Sequence, residues 1–537
     1  MTLRDHNLHV FNTLGRLRQK FEPVAPPHVG MYVCGPTVYG DAHIGHAKSY
    51  VAFDVIVRYL RYLGYDVTYV QNITDVGHLT DDADEGEDKV EKAARARRVH
   101  PMQIAEDYTR RYFEDMDRLN VLRPDICPRA SGHIVEQIEH VKRLLAGGHA
   151  YEVAGNVYFD VTSFGKYGRL SGRTVEEMQA GARVETSPEK RHPADFALWK
   201  RAEPGHIMQW PSPWGMGYPG WHLECSVMSQ KYLGDTLDIH GGGIENQFPH
   251  HENEIAQAEA ATGKPFVRYW LHNNMVTVNG QKMGKSLGNF ITLRDAIGAR
   301  EKLGRWDPMV LRLFLLQSHY RSQTDFSEEA LDAAAKGYER LSTAFGNIAS
   351  LEDAAVDREL LDTIPTQTGG LTWQGEPPTD TRALERIEAT EHQFRDSMDD
   401  DFGTPGALAA LFDMQRIIQT ESLATVLRPP NRRIVERLRQ SYDAMALNVL
   451  GLDFEPQADD TTQKLLTRVV GILLQQRETA RTAKDYKTAD AIREQLDSAG
   501  IIVEDTSDLP LWRRKPKVSF NLYAPWRRDV TWVRRRG

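Results

Sequence analysis

Cys34-Gly35-Pro36-Thr37-Val38-Tyr39-Gly40-Asp41-Ala42-His43-Ile44-Gly45-His46 is the stretch on which the reading of this chain turns. It follows an apolar run, Val29-Gly30-Met31-Tyr32-Val33, that reads as a buried strand. It precedes residues 47–63, where Val51, Val55, Tyr59 and Tyr62 recur at helical spacing. A thiol and two imidazoles therefore sit in a strand-to-helix turn. In an α/β sheet that turn is where a strand's carboxyl end meets a helix N-terminus and phosphates bind. The segment is neither a Walker loop nor a Gly-x-Gly-x-x-Gly fingerprint, because it has too few glycines and supplies imidazoles instead. Imidazoles beside a helix N-terminus suit a polyphosphate whose charge grows in a transition state. The plainer alternative is a turn whose histidines are merely exposed or satisfied.

Outward from this stretch, residues 66–72 read as a second parallel strand ending in Ile73-Thr74-Asp75, where small polar residues reach a ligand. The six acids of Asp81-Asp82-Ala83-Asp84-Glu85-Gly86-Glu87-Asp88 read as a solvated loop and helix N-terminus. Two amphipathic helices are expected over 103–147, broken at Leu122-Arg123-Pro124. A hairpin follows, with strands 150–153 and 157–161 around Ala154-Gly155-Asn156. Residues 162–216, rich in Gly, Pro and Arg, read as an insertion that splits the α/β domain.

The α/β pattern resumes at Trp221-His222-Leu223-Glu224-Cys225, which opens a helix to 232. A strand over 236–239 then runs into His240-Gly241-Gly242-Gly243, whose glycines permit close backbone approach to a ligand. Phe248-Pro249-His250-His251-Glu252-Asn253-Glu254 starts another helix. His250 and Glu254 are four apart, and His251 and Glu254 three apart, so either pair can present metal ligands from one face. Asn279-Gly280 is a strong turn signal before Gln281-Lys282-Met283-Gly284-Lys285-Ser286, a small-residue loop whose lysines suit a mobile clamp on phosphates.

From 307 onward helical periodicity dominates, over 309–316, 328–350, 381–398, 405–422, 431–448 and 462–483, with Thr404-Pro405 as an N-cap and first helical position. Residues 361–380 read as an excursion or linker. From Arg513 to the end, nine Arg or Lys face one acid, Asp529, interleaved with Phe520, Tyr523, Trp526 and Trp532. That mixture fits phosphate contact and base stacking, and equally a disordered basic tail.

Bulk properties bound the class. A chain of 537 residues holds three to four domains, and 26% charged with 41% hydrophobic residues is ordinary for a globular protein. No apolar run approaches the ~20 residues of a membrane span, and the first residues lack a signal peptide's apolar core. Cytoplasmic residence is expected, with no membrane partner. Three cysteines, Cys34, Cys127 and Cys225, point to a reducing compartment where a thiol acts as ligand or nucleophile. Cys127 has no ligand-type neighbour and reads as structural. The net charge of −9 gives no global sign of nucleic-acid binding.

Taken together, Cys-Gly-Pro-Thr-Val-Tyr with His-Ile-Gly-His, Trp-His-x-Glu-Cys-Ser, Phe-Pro-His-His-Glu-Asn-Glu and Lys-Met-x-Lys-Ser-Leu-Gly-Asn closely resemble bacterial cysteinyl-tRNA synthetases. The resemblance runs from residue 8 to about 514, through Met398-Asp399-Asp400-Asp401-Phe402-Gly403-Thr404-Pro405 and Lys484-Asp485-Tyr486. It implies an α/β fold: a class I Rossmann-type catalytic domain split by a connective insertion, followed by α-helical domains and a small C-terminal anticodon-binding module. The implied layout is 1–120 for the first catalytic half, 121–216 for the insertion, and 217–305 for the second half with the signature lysine loop. After these come 306–350 for a stem-contact helical region, 351–460 for a helical bundle, 461–514 for the anticodon-binding module and 515–537 for a basic aromatic extension.

The resemblance also implies roles. Cys34, Cys225, His250 and Glu254 match zinc ligands, one ion per chain, an open site whose free position takes the substrate's sulfur. Zinc binds thiolate and lowers its pKa while a serine hydroxyl is a poor ligand, so no editing domain is expected. His43 and His46 match the signature histidines. With Gly45, Gly241, Gly242 and Lys285 they would hold ATP, supplied with magnesium. Lys282 and Lys285 would clamp the leaving pyrophosphate. Gly35, Thr74, Trp221 and His240 would bind L-cysteine. The expected partners are ATP, L-cysteine and tRNA(Cys), for a monomer. Two departures stand out: Gly284 replaces the serine of Lys-Met-Ser-Lys-Ser, and Leu509 and Pro510 replace glycine and threonine before Trp512. The alternatives are an ATP-dependent cysteine:amino-sugar ligase of the mycothiol type, which lacks the helical C-terminal part, and a non-catalytic RNA-binding relative.

Overall fold

The computed structural model describes residues 3–80, 86–174, 188–284, 287–299, 302–303, 305–362, 381–424, 430–454, 460–499, 501–504 and 511–514. Two compact units divide the chain. The first comprises Met1–Ile348, Trp373–Ile417 and Arg433–Glu455; the second comprises Ala349–Thr372, Ile418–Arg432 and Pro456–Gly537.

The first unit opens with a hairpin, β1 (His9–Asn12) and β2 (Leu17–Lys20). Next come β3 (His28–Val33), α1 (Ile44–Tyr62) and β4 (Asp66–Gln71). Helices α2 (Lys89–Arg97), α3 (Pro101–Arg118) and α4 (Ile134–Ala146) lead to an antiparallel sheet. Its strands are β5 (Ala150–Val153), β6 (Asn156–Phe159), β7 (Phe196–Arg201), β8 (Trp210–Ser212) and β9 (Gly215–Pro219), in the order β5-β6-β7-β9-β8. The catalytic pattern then returns with α5 (Trp221–Leu233), β10 (Leu237–Gly243), α6 (His250–Thr262) and β11 (Val267–Asn273).

The central sheet has the order β11-β10-β3-β4, and every pair in it is parallel. From β3 the chain passes through α1 to β4 on one side; from β10 it passes through α6 to β11 on the other. The strand order reverses between β3 and β10, and a crevice at their carboxyl ends is where a doubly wound sheet binds its ligand. Cys34 N donates to Gly241 O at 3.0 Å, which carries the β3–β10 ladder one residue past the named strand. Tyr32, Val70, Leu237 and Trp270 of the sheet pack with Cys225, Met228 and Ile255 of α5 and α6. Leu223, Val227 and Ala256 of the same helices join a second core with Phe196, Leu198 and Trp199 of the antiparallel sheet.

Five local expectations need correction. Helix α1 starts at Ile44 rather than 47, because the His43 ring caps it, accepting from Gly45 N and His46 N. The three glycines after His240 are not a loop but the last residues of β10, paired with Leu271, His272 and Asn273. A Cβ on Gly241 would lie 2.3 Å from the Phe53 ring, so helix packing as well as ligand approach requires glycine there. Asp88, read as solvated, is buried and caps α2 through Val90 N and Glu91 N; residues 81–85 lie outside the described residues. The hairpin turn is Ala154-Gly155 alone, both with positive φ, and Asn156 pairs with Val153. Thr404 begins its helix, Thr404–Ala424, and its hydroxyl donates to Ser318 O at 3.5 Å instead of capping.

Within the first unit, the helix Pro308–Leu316 brings a fully buried Arg312 to Asp54 of α1, and its Nε donates to Leu450 O at 2.8 Å. The second unit pairs the helices Asp460–Thr482 and Tyr486–Ser498 with a hairpin, Ile501–Glu504 and Leu511–Arg514, over Val470, Leu474, Ile492, Leu496, Ile501 and Val503. No helix of the described residues is long and apolar enough to cross a membrane.

Candidate active site

A cavity of about 470 Å³ opens at the β3–β10 crevice. Of the residues singled out from sequence, Cys34, Gly35, His43, His46, Thr74, Trp221, Cys225, Gly242 and His250 line it. Gly45, Gly241, His240 and Glu254 are not part of that lining, and Lys282 is exposed on a hairpin strand whose next residue, Met283, comes near Gly45. Lys285 lies outside the described residues, as do Leu509, Pro510 and 515–537; Trp512 is described only as part of its strand.

At the bottom of the cavity two thiols meet. Cys34 comes from the end of β3 and Cys225 from the second turn of α5, and their Sγ atoms are 3.8 Å apart. Glu254 Oε1 lies 3.8 Å from Cys34 Sγ and 3.1 Å from His250 Nε2, the helical i, i+4 partner. Cys34, Cys225, His250 and Glu254 thus offer four donor atoms, all within 4.8 Å of one another. A second group shares two of them: Cys34, His240, His251 and Glu254. His240, expected to bind the amino acid, pairs its Nε2 with Glu254 Oε2 at 2.8 Å. Both histidines that the sequence offered as ligands therefore converge on the same thiol and carboxylate. The donors fit a metal: two thiols, an imidazole and a carboxylate, buried together, are groups that stay costly without a cation to neutralise them. Burial pushes the Cys34 thiol up to about 12, raises Cys225 and Glu254, and holds His250 and His251 well below the usual imidazole range. Cys127 is exposed and belongs to neither group.

Around the donors runs a histidine network that sequence reading missed. His222 Nδ1 and His250 Nδ1 share a hydrogen bond of 2.8 Å. His251 Nδ1 meets His272 Nε2 at 2.8 Å, and His272 Nδ1 meets Thr13 Oγ1 at 2.8 Å. Trp221 stacks between His250 and His78, with ring centroids 4.1 and 3.9 Å away. The motif Trp-His-x-Glu-Cys carried a signal for His222; nothing local marked Thr13, His78 or His272.

The amino-acid side of the cavity is built on Gly35. A Cβ there would fall 1.5 Å from Asn72 O, and Gly35 N donates to Asn72 Oδ1 at 2.7 Å. Asn72 Nδ2 donates to Thr74 Oγ1 at 3.1 Å, and the Thr74 hydroxyl donates to the buried Glu224. Thr74 thus lines the cavity with the buried Glu224 behind it, whose carboxyl is held by burial well above the usual carboxylate range.

At the other end, His43 Nδ1 accepts from Gly45 N at 3.1 Å, and His46 Nδ1 accepts from His43 N at 3.1 Å. The rings stack with centroids 3.8 Å apart. Because both Nδ1 atoms act as acceptors, each neutral ring carries its proton on Nε2, a donor at the N-terminus of α1. Burial and the neighbouring His43 keep His46 uncharged. A Cβ on Gly45 would press on the His43 ring at 2.9 Å, so glycine keeps the cap geometry. The hairpin β12 (Val276–Val278) and β13 (Gln281–Lys282) turns through Asn279-Gly280, both at positive φ, as expected.

Comparison with known proteins assigns this architecture. The family described as tRNA synthetases class I (C) catalytic domain matches residues 20–336. A DALR domain matches 393–455, and a cysteinyl-tRNA ligase anticodon binding domain matches 466–513. The chain is 51% identical over 516 residues to the cysteine–tRNA ligase of Chlorobaculum tepidum, covering 95% of this chain and 99% of that protein. It is 50% identical over 508 residues to that of Thermus thermophilus, covering 94% and 99%. Among solved structures, its fold is similar to Mycobacterium tuberculosis methionyl-tRNA synthetase with methionyl-adenylate (TM-score 0.52, 17% identity, 79% of this chain and 89% of that one). It is also similar to the LeuRS of Agrobacterium radiobacter K84 in a ternary complex with tRNA and LeuAMS (TM-score 0.54, 12% identity, 80% and 85%).

Proposed function

The chain belongs to the cysteinyl-tRNA synthetase family of class I enzymes and acts as a cysteine–tRNA ligase, and we propose that the crevice between β3 and β10 carries both of its steps. First, a carboxylate oxygen of L-cysteine attacks the α-phosphorus of ATP, and the bond to the pyrophosphate oxygen breaks. Second, a hydroxyl of the terminal ribose of tRNA(Cys) attacks the carbonyl of the cysteinyl-adenylate, and AMP leaves. The observation that carries this reading is the meeting, in one cavity, of a thiol-rich metal-competent group with the capped histidines of α1. The matches to a DALR domain and an anticodon binding domain weigh against an amino-sugar ligase.

Zinc is the ion this donor set suits, held by Cys34, Cys225, His250 and Glu254. When bound, it supplies a Lewis-acid position that takes a thiolate and rejects a hydroxyl. The protein's own groups do the rest. Thr74, backed by Glu224, receives the substrate ammonium, and Gly35 leaves room for its backbone. His43 and His46 donate from Nε2 to phosphate oxygens as negative charge shifts toward the leaving group. Lys282 and Lys285 hold the pyrophosphate, with Mg²⁺ accompanying ATP, and Gly241 and Gly242 let the nucleotide approach β10. We assign 1–120 and 217–305 to the catalytic domain around the insertion 121–216, 306–350 to stem contact, 351–460 to a helical bundle and 461–514 to anticodon binding. The enzyme works as a cytoplasmic monomer.

The test is charging of tRNA(Cys) by the purified protein with ATP, magnesium and labelled cysteine, alongside cysteine-dependent pyrophosphate exchange. Both activities are expected. Exchange without charging would move the reading to an amine ligase, and neither activity in zinc-loaded protein would move it to a non-catalytic relative.

A further inference from the structure

Lys48 is a charged residue with 2% exposure on the helix that bears the signature histidines. It lies two positions after His46, about 200° around the helix, so the two side chains leave α1 on opposite sides. Its ammonium donates to Ser322 O and, at 2.7 Å, to Thr324 Oγ1. Around it are Val51, Val55, Leu315, Tyr320 and Phe402. Desolvation by those neighbours pulls the ammonium down to about 8. Both acceptors are neutral oxygens, and a methionine of similar length would fill the same space without the cost of burying charge.

Both acceptors also belong to one short segment, and that segment supports the lysine loop. Thr324–Phe326 forms a parallel strand with β12, in the register Val276↔Thr324, Thr277↔Asp325 and Val278↔Phe326. Strand β12 pairs in turn with β13, where Thr277 stands opposite Lys282. Asp325 Oδ1 accepts from Thr277 Oγ1 and from Gly280 N, both at 2.7 Å, which pins the turn between the two strands. The downstream end of the loop hangs on the start of α1 by backbone bonds: Leu293 N donates to Ala42 O at 2.8 Å and Ile44 N to Ile291 O at 3.3 Å. The upstream end reaches α1 through the 322–324 segment and Lys48.

We propose that Lys48 is a positioning residue for the activation step: by tying residues 322–324 to α1 it sets the place of Lys282 relative to His43 and His46. This rests on the reading of the crevice as an adenylate-forming site. The phosphates must be gripped at once by the histidines and the lysines, and these sit on separate elements. A buried ammonium with two oriented bonds fixes the spacing between those elements; an apolar contact would let it slide. Misplacement by about 1 Å at such a site costs on the order of 100-fold in rate.

The experiment is pyrophosphate exchange by zinc-loaded wild type, Lys48→Met, Lys48→Arg and Thr324→Val, with melting temperature and zinc content for each. Wild-type exchange tests the site reading by itself; its absence sinks that reading whatever the variants do. Given wild-type exchange, Lys48→Met is expected to lower kcat by about 100-fold while KM for cysteine and zinc content hold. Its Tm should stay within about 3 °C of wild type. Lys48→Arg, which keeps a donor, should recover most of kcat. Thr324→Val, which removes one acceptor and keeps the backbone ladder, should lower kcat by about tenfold, and it carries the test if Lys48→Met does not fold. Unchanged kcat in Lys48→Met, or in Thr324→Val should it stand alone, overturns the proposal. So does a loss of kcat that tracks a fall in Tm, or one that arginine does not relieve.

Discussion

His222 and His250 face each other through their Nδ1 atoms at 2.8 Å, both rings buried, so one nitrogen donates and the other accepts. That bond fixes the tilt of the His250 ring and leaves its Nε2 toward Glu254. His222 therefore orients a metal-competent histidine without joining its group. His222→Ala should weaken zinc binding by about 10–100-fold in chelator competition. Unchanged affinity would mean that His250 does not hold the ion.

Cys225→Ser replaces one of the two thiols that stand 3.8 Å apart. Zinc content should fall well below one per chain, and KM for cysteine should rise at least about tenfold, 1.4 kcal/mol of binding. Full metal content with normal KM would refute this ligand set.

Burial holds the Cys34 thiol up at about 12 and raises Cys225, so both are protonated in metal-free protein at neutral pH. An ion that binds thiolates must displace those protons. Titration of zinc into weakly buffered apoprotein at pH 7 should release about two protons per ion, with affinity rising as pH rises. Release of none would place the metal elsewhere.

His140, buried and paired with Gln257 O at 3.2 Å, is held down to about 4 by desolvation. Its unfolded value is the ordinary 6.5, so as pH falls the unfolded chain takes the proton first. The stability this histidine protects is complete above pH 6.5 and drains away toward pH 4, on the order of 3 kcal/mol at the acid end. His140→Gln should flatten the dependence of Tm on pH over that window. An unaltered acid slope would show that another group sets it.

Gly284 N donates to Asn289 Oδ1 at 2.9 Å, and Asn289 Nδ2 reaches back to Lys282 O at 3.1 Å, so Asn289 holds Lys282 and Gly284 together. Restoring the serine by Gly284→Ser should reduce the loop's unbound freedom by about 0.4–1 kcal/mol and speed adenylate formation by about two- to fivefold. Loss of activity in stopped-flow assays would mean that the turn needs glycine.

Much of the catalytic sheet was legible because β3, β4 and the start of β10 are short runs rich in Val, Ile, Leu and Tyr and the helices keep 3.6-residue spacing. Strand β11, whose apolar residues are interrupted by Arg268 and His272, was not among the expected strands. The helix start at Ile44 was not legible, because the cap is a histidine ring, a residue seldom counted as one. Strands Phe196–Arg201, Trp210–Ser212 and Gly215–Pro219 were hidden in a Gly- and Pro-rich region, being short and stabilised by their neighbours rather than by their own alternation. The metal-competent residues could be read from their types and helical spacing. The hydrogen bonds that aim them could not: His272 and Thr13 are 259 residues apart in sequence and meet only in the folded sheet.

The adjacency of β3 and β10 has a temporal side. Cys34 is made 191 residues before Cys225, with the whole insertion between them. A ribosome-bound chain therefore carries a lone thiol at the end of a half-built sheet through most of the catalytic domain's synthesis. The metal-competent group can close only when α5 and α6 have emerged and β10 has slotted beside β3, so its four donors meet late, once the two halves have assembled.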